Sequence, residues 1–235
     1  MTHLGPYELD RVHLGDCIEL MKALPDECYV ISDPPYNQKY HYGFYGDNLE
    51  DTQYYELLFN VFYGRKAIII HYPEETINLM GGGNFGTCQE CVSWVYNSNT
   101  GKQHRLITWW NCKPDFSNIP QPYKNPTDRR IAERIRNGEM ARAYDWWQID
   151  QVKNVSKDVN PHPCPTPIEL MKQIILSTTS EFDVIVDPFA GSGTTCIAAL
   201  QTSRRFLGFE IDPRWCNLAN KRIEAAKAQQ SLDLS

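Results

Sequence analysis

The sequence contains no long hydrophobic run. Its longest aliphatic stretches, 67–70 and 184–186, are far shorter than the roughly 18 apolar residues that a membrane-spanning helix needs. We therefore expect no membrane association. The 235 residues are 42% hydrophobic and 22% charged, a composition typical of a globular protein with one sizeable core. One domain, with at most a subdomain, is the expectation for this length.

We also expect neither a secretory leader nor a disulfide framework. The first ten residues include Glu8 and Asp10 and contain no apolar segment of the kind that a signal peptide requires. The eight cysteines are scattered without the regular spacing of a disulfide scaffold, which is typical of reduced thiols. We therefore expect a cytoplasmic protein.

One CxxC pair, Cys88 and Cys91, raises the alternative of a zinc site. His104 and Cys112 follow at a loose spacing that fits no common zinc pattern, and a second close pair is missing. Two ordinary thiols on a strand are the favoured interpretation, so we predict no metal.

An excess of positive charge is absent as well, since the net charge is −6, which alone disfavours a nucleic-acid partner. Residues 101–142, however, contain nine Lys and Arg against four Asp and Glu, a local charge of +5. With −6 overall and +5 here, the rest of the chain carries −11. This asymmetry favours an acidic body with a basic segment that grips a polyanion, and a solvated helix face is the alternative.

Strand-like and helix-like segments alternate along most of the chain. We predict strands at 12–14, 29–32, 67–71, 183–186 and 205–209, and helices at 18–24, 54–63, 168–178, 194–201 and 213–228. Residues 91–97 and 105–111 look like a hairpin, and Thr127 is predicted to cap a helix that extends to about 143. The expected fold class is α/β, with a doubly wound, mainly parallel sheet.

A glycine turn, Gly191-x-Gly193, follows one predicted strand and opens a helix. Cys196 stands where a dinucleotide-binding motif has its third glycine, and Thr194 stands where a P-loop has lysine. Backbone N–H groups at a helix N-terminus suit a carboxylate, and Glu210, at the end of the next strand, is placed to bind ribose hydroxyls. A ligand with a ribose and a carboxylate but no phosphate describes S-adenosylmethionine.

Two motifs together carry a family resemblance. Residues 33–37, Asp-Pro-Pro-Tyr-Asn, and residues 187–195, Asp-Pro-Phe-Ala-Gly-Ser-Gly-Thr-Thr, resemble the amino-directed DNA methyltransferases, which modify N6 of adenine or N4 of cytosine. Their order is that of the permuted beta group, in which the catalytic motif precedes the cofactor motif. Residues 15–17 and 208–213 extend the resemblance, which covers 11–64 and 160–226.

The resemblance implies roles for the first motif. Asp33 and the backbone carbonyl of Pro34 would accept the two amino hydrogens of a target base, Pro35 would fix the turn, and Tyr36 would stack on the base. That base must leave the duplex to reach such a pocket. No covalent nucleophile is needed.

The resemblance also implies a cofactor-binding set for S-adenosylmethionine. Asp16 would contact the adenine amine and Glu210 the ribose. The segment 162–167 corresponds to a His-Pro-rich motif from which only Pro163 is carried over, because Thr166 stands where many relatives have lysine. The remaining implied contacts, mainly to the methionine end, are Asp187, Phe189, Ala190, Gly191, Ser192, Gly193 and Thr194.

No family motif falls between 97 and 154. We therefore predict a catalytic domain of residues 1–96 and 155–235 with an inserted target-recognition segment, 97–154, that coincides with the basic charge. The predicted DNA-contacting residues are Lys102, Arg105, Arg129, Arg130 and Arg134. The tryptophan pairs 109–110 and 146–147 either pack in the core or stack on bases. The aromatic residues of loop 40–45 either close over a flipped base or pack on the body.

The prediction is a site-specific DNA methyltransferase that uses S-adenosylmethionine to modify N6 of adenine, in the manner of restriction-modification systems. N4-cytosine methylation is the alternative, with a non-catalytic nucleic-acid-binding module as a rival of another class. Asp rather than Ser at position 33 favours adenine by family tendency. The expected partner is double-stranded DNA, and the expected state is a monomer or homodimer.

Overall fold

The computed structural model describes residues 2–40, 45–81, 86–99, 101–152 and 165–233. The strands in these ranges are β1 His3–Leu4, β2 Tyr7–Glu8, β3 Arg11–Leu14, β4 Tyr29–Ser32, β5 Lys66–His71, β6 Cys88–Val95, β7 His104–Trp110, β8 Trp146–Gln148, β9 Val184–Asp187 and β10 Arg205–Glu210. The helices are α1 Cys17–Met21, α2 Asp51–Phe62, α3 Pro73–Gly81, α4 Arg129–Arg136, α5 Ile168–Thr178, α6 Thr194–Gln201 and α7 Pro213–Asp233, with a 3-10 helix at Phe116–Asn118.

Eight of the described strands form one sheet in the order β3-β10-β9-β4-β5-β7-β6-β8. The first five run parallel to one another. β7 is antiparallel to both β5 and β6, and β8 is parallel to β6. β1 and β2 pair separately. The prediction of a doubly wound, mainly parallel α/β sheet is confirmed.

Helices cover both faces of the parallel strands. Ile31 and Ile68 pack in a cluster with residues of α5, α6 and α7, whereas their neighbours Val30 and Ile69 pack in a second cluster with α1 and α2. Successive residues of a strand point to opposite faces. Because both faces are buried, these strands are continuous apolar runs rather than alternating ones.

The sheet gathers acidic residues at one edge. Asp16 follows β3, Asp33 follows β4, Asp187 ends β9 and Glu210 ends β10, and parallel strands end on the same side. β6 and β8 also end at this edge, and β7 begins there because it is antiparallel to β5. In open α/β sheets the ligand crevice lies beyond the carboxyl ends of the strands.

The predicted target-recognition segment, 97–154, is not a unit of its own. β7 and β8 lie inside that range, yet both belong to the main sheet. Of the predicted insert, mainly residues 111–145 lie outside the sheet. This segment begins after Trp110, which pairs with Ala67 near the start of β5, so it leaves the sheet at the edge opposite to the acidic residues.

The basic helix within this segment is shorter than predicted. Asp128, not Thr127, caps it, because the Asp128 carboxylate accepts a hydrogen bond from the backbone N–H of Arg130. α4 ends at Arg136, and Gly138 follows with a φ of +77°, a left-handed conformation that favours glycine and terminates a helix. The predicted extension to 143 is therefore wrong.

Three of the four paired tryptophans belong to the core. Trp109, Trp110 and Trp147 are buried, whereas Trp146 is 45% exposed. Base stacking is therefore excluded for the first three, and their packing role is the one that the structure supports. In the aromatic loop, Tyr40 is exposed and Tyr45 half-buried. Tyr42 and Phe44 lie outside the described residues.

Sequence patterns missed the shortest elements. The hairpin β1–β2, the helix α3 and the three-residue strand β8 were not predicted, although Pro73 at the first position of α3, followed by Glu74 and Glu75, is a typical helix start. None of the described helices combines the length and apolarity needed to cross a membrane.

Candidate active site

A cavity of about 340 Å³ lies at the edge of the sheet where the parallel strands end. Among the described residues that line it, six carry carboxylates and one, Arg105, carries a cation. The carboxylates belong to Asp16, Asp33, Asp47, Asp187, Glu210 and Asp212. The cavity is therefore acidic and suits a cationic ligand.

The turn after β4 is fixed from several sides. Pro34 and Pro35 lock φ and lack N–H groups, so the strand cannot continue through them. The Tyr54 hydroxyl, on α2, donates to the Pro35 carbonyl at 2.9 Å. Ser32, the last residue of β4, donates its hydroxyl to Oδ1 of Asp187 at 2.6 Å. The two sequence motifs, 155 positions apart at this contact, thus share one wall of the cavity.

The Asp33 side chain is only 14% exposed and has three polar neighbours. Its Oδ1 accepts a hydrogen bond from the Tyr36 hydroxyl, and its Oδ2 accepts one from Thr166 Oγ1 at 2.6 Å. Nη1 of Arg105 lies 3.5 Å from Oδ2. Burial raises the pKa of Asp33, while the Arg105 charge and the Thr166 hydrogen bond oppose that rise.

Tyr36 lines the cavity with its ring against other aromatic groups. Its ring centroid lies 5.0 Å from that of Tyr72, with the two planes tilted by 54°. The guanidinium carbon of Arg105 lies 4.8 Å from the Tyr36 centroid. The structure therefore places an aromatic face beside the Asp33 carboxylate, where the sequence expectation requires one, and base stacking remains a prediction.

The glycine turn after β9 begins at a buried carboxylate. Oδ1 of Asp187 accepts hydrogen bonds from the Ser32 hydroxyl and, at 3.1 Å, from the backbone N–H of Phe189. Burial is the largest influence on this carboxyl group and raises the pKa of Asp187 to about 6, although its hydrogen bonds act to lower that pKa. Asp187 therefore organises the turn at a cost in desolvation.

Glu210 holds the backbone of two cavity-lining turns. Its Oε2 accepts a hydrogen bond from the N–H of Gly191 at 2.8 Å, and its Oε1 accepts one from the N–H of Asp212 at 2.8 Å. Gly191 has a φ of +50°, which glycine adopts without penalty. One of the backbone donors predicted for a ligand carboxylate is thus already bound to Glu210.

Gly193 has a different role from the predicted one. It does not line the cavity. It has a φ of +80° at the N-cap of α6, and a Cβ there would lie 3.0 Å from Cβ of Ala219 on α7. Gly193 is therefore required for the turn and for close helix packing, and the expectation that it lines the methionine end is corrected.

The other predicted cofactor residues are placed as follows. Asp16 lines the cavity and also caps α1, because its Oδ1 accepts a hydrogen bond from the N–H of Ile18 at 2.8 Å. Pro163 lies outside the described residues. The other predicted positions that line the cavity are Phe189, Ala190, Ser192 and Thr194.

The five predicted DNA-contacting residues lie in three different places. Arg105 is largely enclosed in the cavity beside Asp33, with its side chain 12% exposed, so it is not available to neutralise a phosphate, and its assignment to the DNA surface is corrected. Lys102 pairs with Glu74 at 3.1 Å. The other three, Arg129, Arg130 and Arg134, lie exposed on α4.

Tyr72, Thr166 and Asp47 are among the cavity residues that sequence reasoning missed. Tyr72 follows β5, and Thr166, noted only as a departure from the family, binds Asp33. Asp47 is buried and accepts hydrogen bonds from the backbone N–H groups of 37, 38 and 40, at 2.8 to 3.2 Å. The local sequence around these residues does not identify them as cavity residues, because each contacts the motif from a separate segment of the chain.

The zinc alternative receives no support from the part of the chain that the structure describes. Cys88 and Cys91 both lie on β6, and no group of three or more potential metal ligands occurs among the described residues. The thiol of Cys88 donates to the carbonyl of Glu90. These are strand thiols.

The cavity fits S-adenosylmethionine in its charge and its contacts. The sulfonium and ammonium of that molecule are cations, and carboxylates line the cavity on several sides. Glu210, at the end of β10, presents a carboxylate next to the Gly191 turn, the arrangement that binds a ribose in doubly wound folds. An α/β sheet with this acidic cavity is the arrangement of an enzyme that uses a cationic nucleoside cofactor.

A family model described as DNA methylase matches residues 29–221. The chain belongs to the N6/N4 DNA methylase family. Family membership confirms the expected enzyme class and S-adenosylmethionine as the cofactor.

Individual proteins show the same relationship. The chain is 24% identical to the type II methyltransferase M.HpaI of Haemophilus parainfluenzae, over 92% of this chain and 74% of the relative. It is 28% identical to the DNA adenine methyltransferase YhdJ of Escherichia coli, over 60% of this chain and 41% of that protein. The solved structure of the PvuII cytosine-N4-specific DNA methyltransferase shares the fold, with a TM-score of 0.65, 16% identity and coverage of 92% and 90% of the two chains.

Proposed function

We propose that this DNA methylase transfers a methyl group from S-adenosylmethionine to N6 of an adenine within a specific site of double-stranded DNA. The observation that carries the proposal is the largely buried Asp33 carboxylate beside the Tyr36 ring in an acidic cavity. Aspartate at this position favours adenine, and the similarity to YhdJ, an adenine methyltransferase, supports that choice. N4-cytosine methylation, the activity of the PvuII enzyme, is the alternative, since it is the same attack by a ring-conjugated amine.

Asp33 makes the target amine a better nucleophile. An exocyclic amine is a poor nucleophile, because its lone pair is delocalised into the ring. Asp33 and the Pro34 carbonyl accept the two amine hydrogens, which turns the nitrogen towards tetrahedral geometry and frees the lone pair. The amine must also lose a proton, and burial, which raises the pKa of Asp33, makes this carboxylate a stronger base than an ordinary aspartate.

The cofactor is held along the ends of the parallel strands. Glu210 binds the ribose, Asp16 the adenine amine, and the turn at 189–194 the methionine end, with Gly193 shaping the turn. S-adenosylmethionine supplies a methyl group that its sulfonium activates for attack. The contribution of the chain is then mainly to orient the amine, which accounts for several kcal/mol, on the order of what positioning supplies in other enzymes.

The base reaches the cavity outside the duplex. Duplex DNA shields the adenine amine, so the nucleotide is extruded and its ring stacks on Tyr36. Phosphates elsewhere on the duplex are held by cations, for which the exposed arginines of α4, Arg129, Arg130 and Arg134, are the candidates. The reaction takes place in the cytoplasm, where bacterial DNA lies.

Expression in a bacterium that lacks DNA methylation tests the proposal. Single-molecule sequencing of its genome maps modified bases and reveals the recognised site. Digestion of the same DNA to nucleosides, followed by mass spectrometry, distinguishes N6-methyldeoxyadenosine from N4-methyldeoxycytidine. The Asp33→Ala variant is the matched control, because it removes the acceptor carboxylate and leaves Glu210 and the glycine turn unchanged.

We expect N6-methyladenine in one short sequence with the wild-type chain and none with Asp33→Ala. Methylcytosine in place of methyladenine selects the alternative base. An unmodified genome, together with DNA binding by the purified protein, contradicts the proposal and favours a non-catalytic binding module.

A further inference from the structure

Arg105 enters the cavity from outside the two family motifs. It lies near the start of β7, where it pairs across the ladder with Trp94 of β6. Its side chain is only 12% exposed, and Nη1 lies 3.5 Å from Oδ2 of Asp33. Among the described residues that line the cavity, it is the single cation.

Aromatic rings confine the guanidinium of Arg105. Its central carbon lies 4.8 to 5.9 Å from four ring centroids. Guanidinium groups stack favourably on aromatic faces, and such contacts limit their rotation. These rings belong to Tyr36, Tyr72, Trp94 and Tyr96. The cation is therefore held in place, unlike the exposed arginines of α4.

Asp33 needs such a cation. Its side chain is largely buried, and its charge raises the pKa of a second buried carboxylate, Asp187. Burial raises the pKa of Asp33, because desolvation disfavours the ionised form of a carboxylate, and a nearby cation opposes that rise. The titratable or charged groups around the Asp33–Arg105 pair are Tyr36, Tyr96 and Asp187, which face Asp33, and Tyr72, which faces Arg105.

The contacts of Asp33 are divided between its two oxygens. Thr166 and Arg105 both approach Oδ2, at 2.6 and 3.5 Å. Tyr36 approaches Oδ1. A carboxylate oxygen has two lone pairs. Thr166 binds Oδ2 and the Arg105 cation faces it, whereas Oδ1, with its one hydrogen bond from Tyr36, keeps a lone pair for an amine hydrogen.

We propose that Arg105 is a positioning residue for methyl transfer: with Thr166 it anchors Oδ2 of Asp33 and keeps the carboxylate ionised, so that Oδ1 accepts the amine hydrogen. This role rests on the proposed function, because it assigns Asp33 as the acceptor. It makes the cation on β7 part of the catalytic arrangement through its contact with Asp33.

The first test is the pH dependence of kcat at saturating DNA and cofactor. The variants are Arg105→Gln, which removes the charge, and Arg105→Lys, which keeps it. In Arg105→Gln we expect the acid limb to move up by at least about one pH unit, so that kcat falls by about 10-fold or more at pH values below the limb, where one pH unit corresponds to a tenfold change in the ionised fraction. Arg105→Lys should restore most of the acid limb.

Arg205→Gln is the matched control. Arg205 also pairs with an aspartate, Asp10, at 2.6 Å, but at the start of β10, on the opposite edge of the sheet. This variant removes the same kind of ion pair without touching the cavity. Its pH profile should therefore match that of the wild type.

A second measurement does not depend on activity. In protein labelled with 13C-aspartate, the Asp33 carboxyl resonance, assigned by its loss in Asp33→Asn, reports its protonation directly. We expect an ionised Asp33 at pH 7 in the wild type and an upward shift of its titration in Arg105→Gln. An Asp33 that is protonated at pH 7 in the wild type overturns the proposal without any variant.

The outcomes separate this inference from the proposed function. Identical Asp33 titrations in the wild type, Arg105→Gln and Arg205→Gln overturn the role of Arg105, even where DNA is methylated. A wild-type protein that methylates no DNA refutes the proposed function, while the titration still decides whether Arg105 keeps Asp33 ionised.

Discussion

The cavity and the helix α4 carry charge in opposite ways. In the cavity, every carboxylate except the exposed Asp16 is buried or half-buried, and Asp33 has defined partners in Thr166 and Arg105. α4 buries none of its residues, and two of its arginines pair locally, Arg130 with Asp128 at 3.1 Å and Arg134 with Glu139 at 3.9 Å. Buried charges have roles set by geometry, whereas exposed charges act through the field that they create together.

Only part of the positive charge of the basic segment 101–142 is available to bind DNA. Its charge of +5 includes Arg105, which neutralises part of the cavity, and Lys102, which pairs with Glu74. The charge that remains for DNA is therefore smaller than the sequence count and is concentrated on α4 and its neighbours. Net charge along a sequence does not distinguish a surface cation from a buried one.

The largest expected effect is the loss of activity when Asp33, the acceptor of the amine hydrogen, is removed. Asp33→Ala should lower kcat by roughly 10³-fold, the size of effect seen when a preorganised group that acts on the reacting atoms is removed. The affinity for S-adenosylmethionine should persist, because the Glu210 and glycine-turn contacts are intact. Methyl transfer from labelled cofactor and calorimetric binding measure the two quantities.

Asp26→Ala is the control for this prediction. The Asp26 side chain is 82% exposed, so its removal takes away one aspartate without altering the cavity. Substantial residual activity in Asp33→Ala would show that the Asp33 carboxylate is not the acceptor, and the contrast between the two regions would lose its main support.

The motifs themselves could be predicted, because their structure is local. Two successive prolines end β4 wherever it lies, and a glycine turn between an apolar strand and a helix is set by residues next to each other. The helix predicted at 194–201 is the observed α6, and the strand predicted at 29–32 is the observed β4. The catalytic and cofactor-binding roles could be predicted as well, because the residues of each motif form the turn that positions them.

The partners of the motifs could not be predicted, because they come from distant elements. Arg105 reaches Asp33 only through the pairing of β7 with β5, and Thr166 reaches it across 133 positions. Gly193 was assigned to the ligand because its turn signature does not reveal that a neighbouring helix, at Ala219, fills the space. Sequence reasoning therefore located the site but not the charges that tune it.

The next effect tests how deeply the cavity carboxylates are buried. Burial raises the pKa of Asp187 to about 6, above the ordinary value of 3.8. A raised carboxyl pKa means that the folded state binds more protons than the unfolded state between these values, so this contribution to stability is lost as pH rises from about 4 through about 6. About two pKa units correspond to about 3 kcal/mol.

Asp187→Asn should remove that dependence. The free energy of unfolding of the variant, relative to the wild type, should rise by up to about 3 kcal/mol between pH 4 and pH 7. Urea unfolding across this range measures it, with Asp26→Asn as the exposed control. A difference that does not change with pH would mean that the Asp187 carboxyl does not titrate as a buried group.

A smaller effect tests the cofactor side of the cavity. Glu210→Ala should raise the dissociation constant for S-adenosylmethionine by about 10- to 100-fold, because it removes hydrogen bonds to a charged group worth roughly 1.5 to 3 kcal/mol. Glu224→Ala is the control, since Glu224 is exposed on α7 and pairs with Lys227. Equal affinities in both variants would remove Glu210 from the cofactor site.

The smallest effect per residue is expected on α4, and it tests the other half of the comparison. Changing Arg129, Arg130 and Arg134 to Gln should weaken DNA binding and lower the slope of log affinity against log salt by up to about one for each phosphate that is no longer neutralised. Arg130 and Arg134 already have carboxylate partners, so Arg129 should contribute most. Fluorescence anisotropy on duplex DNA at several salt concentrations measures both quantities.

A second triple variant makes this test specific to α4. It removes the same total charge from three other cations that also pair with nearby carboxylates: Arg11, Lys22 and Lys227. A lower slope only in the α4 triple locates phosphate binding on that helix, because counterion release depends on which cations meet phosphates. The same change in both triples would reduce α4 to its share of the general field, and an unchanged slope would make it a solvated face.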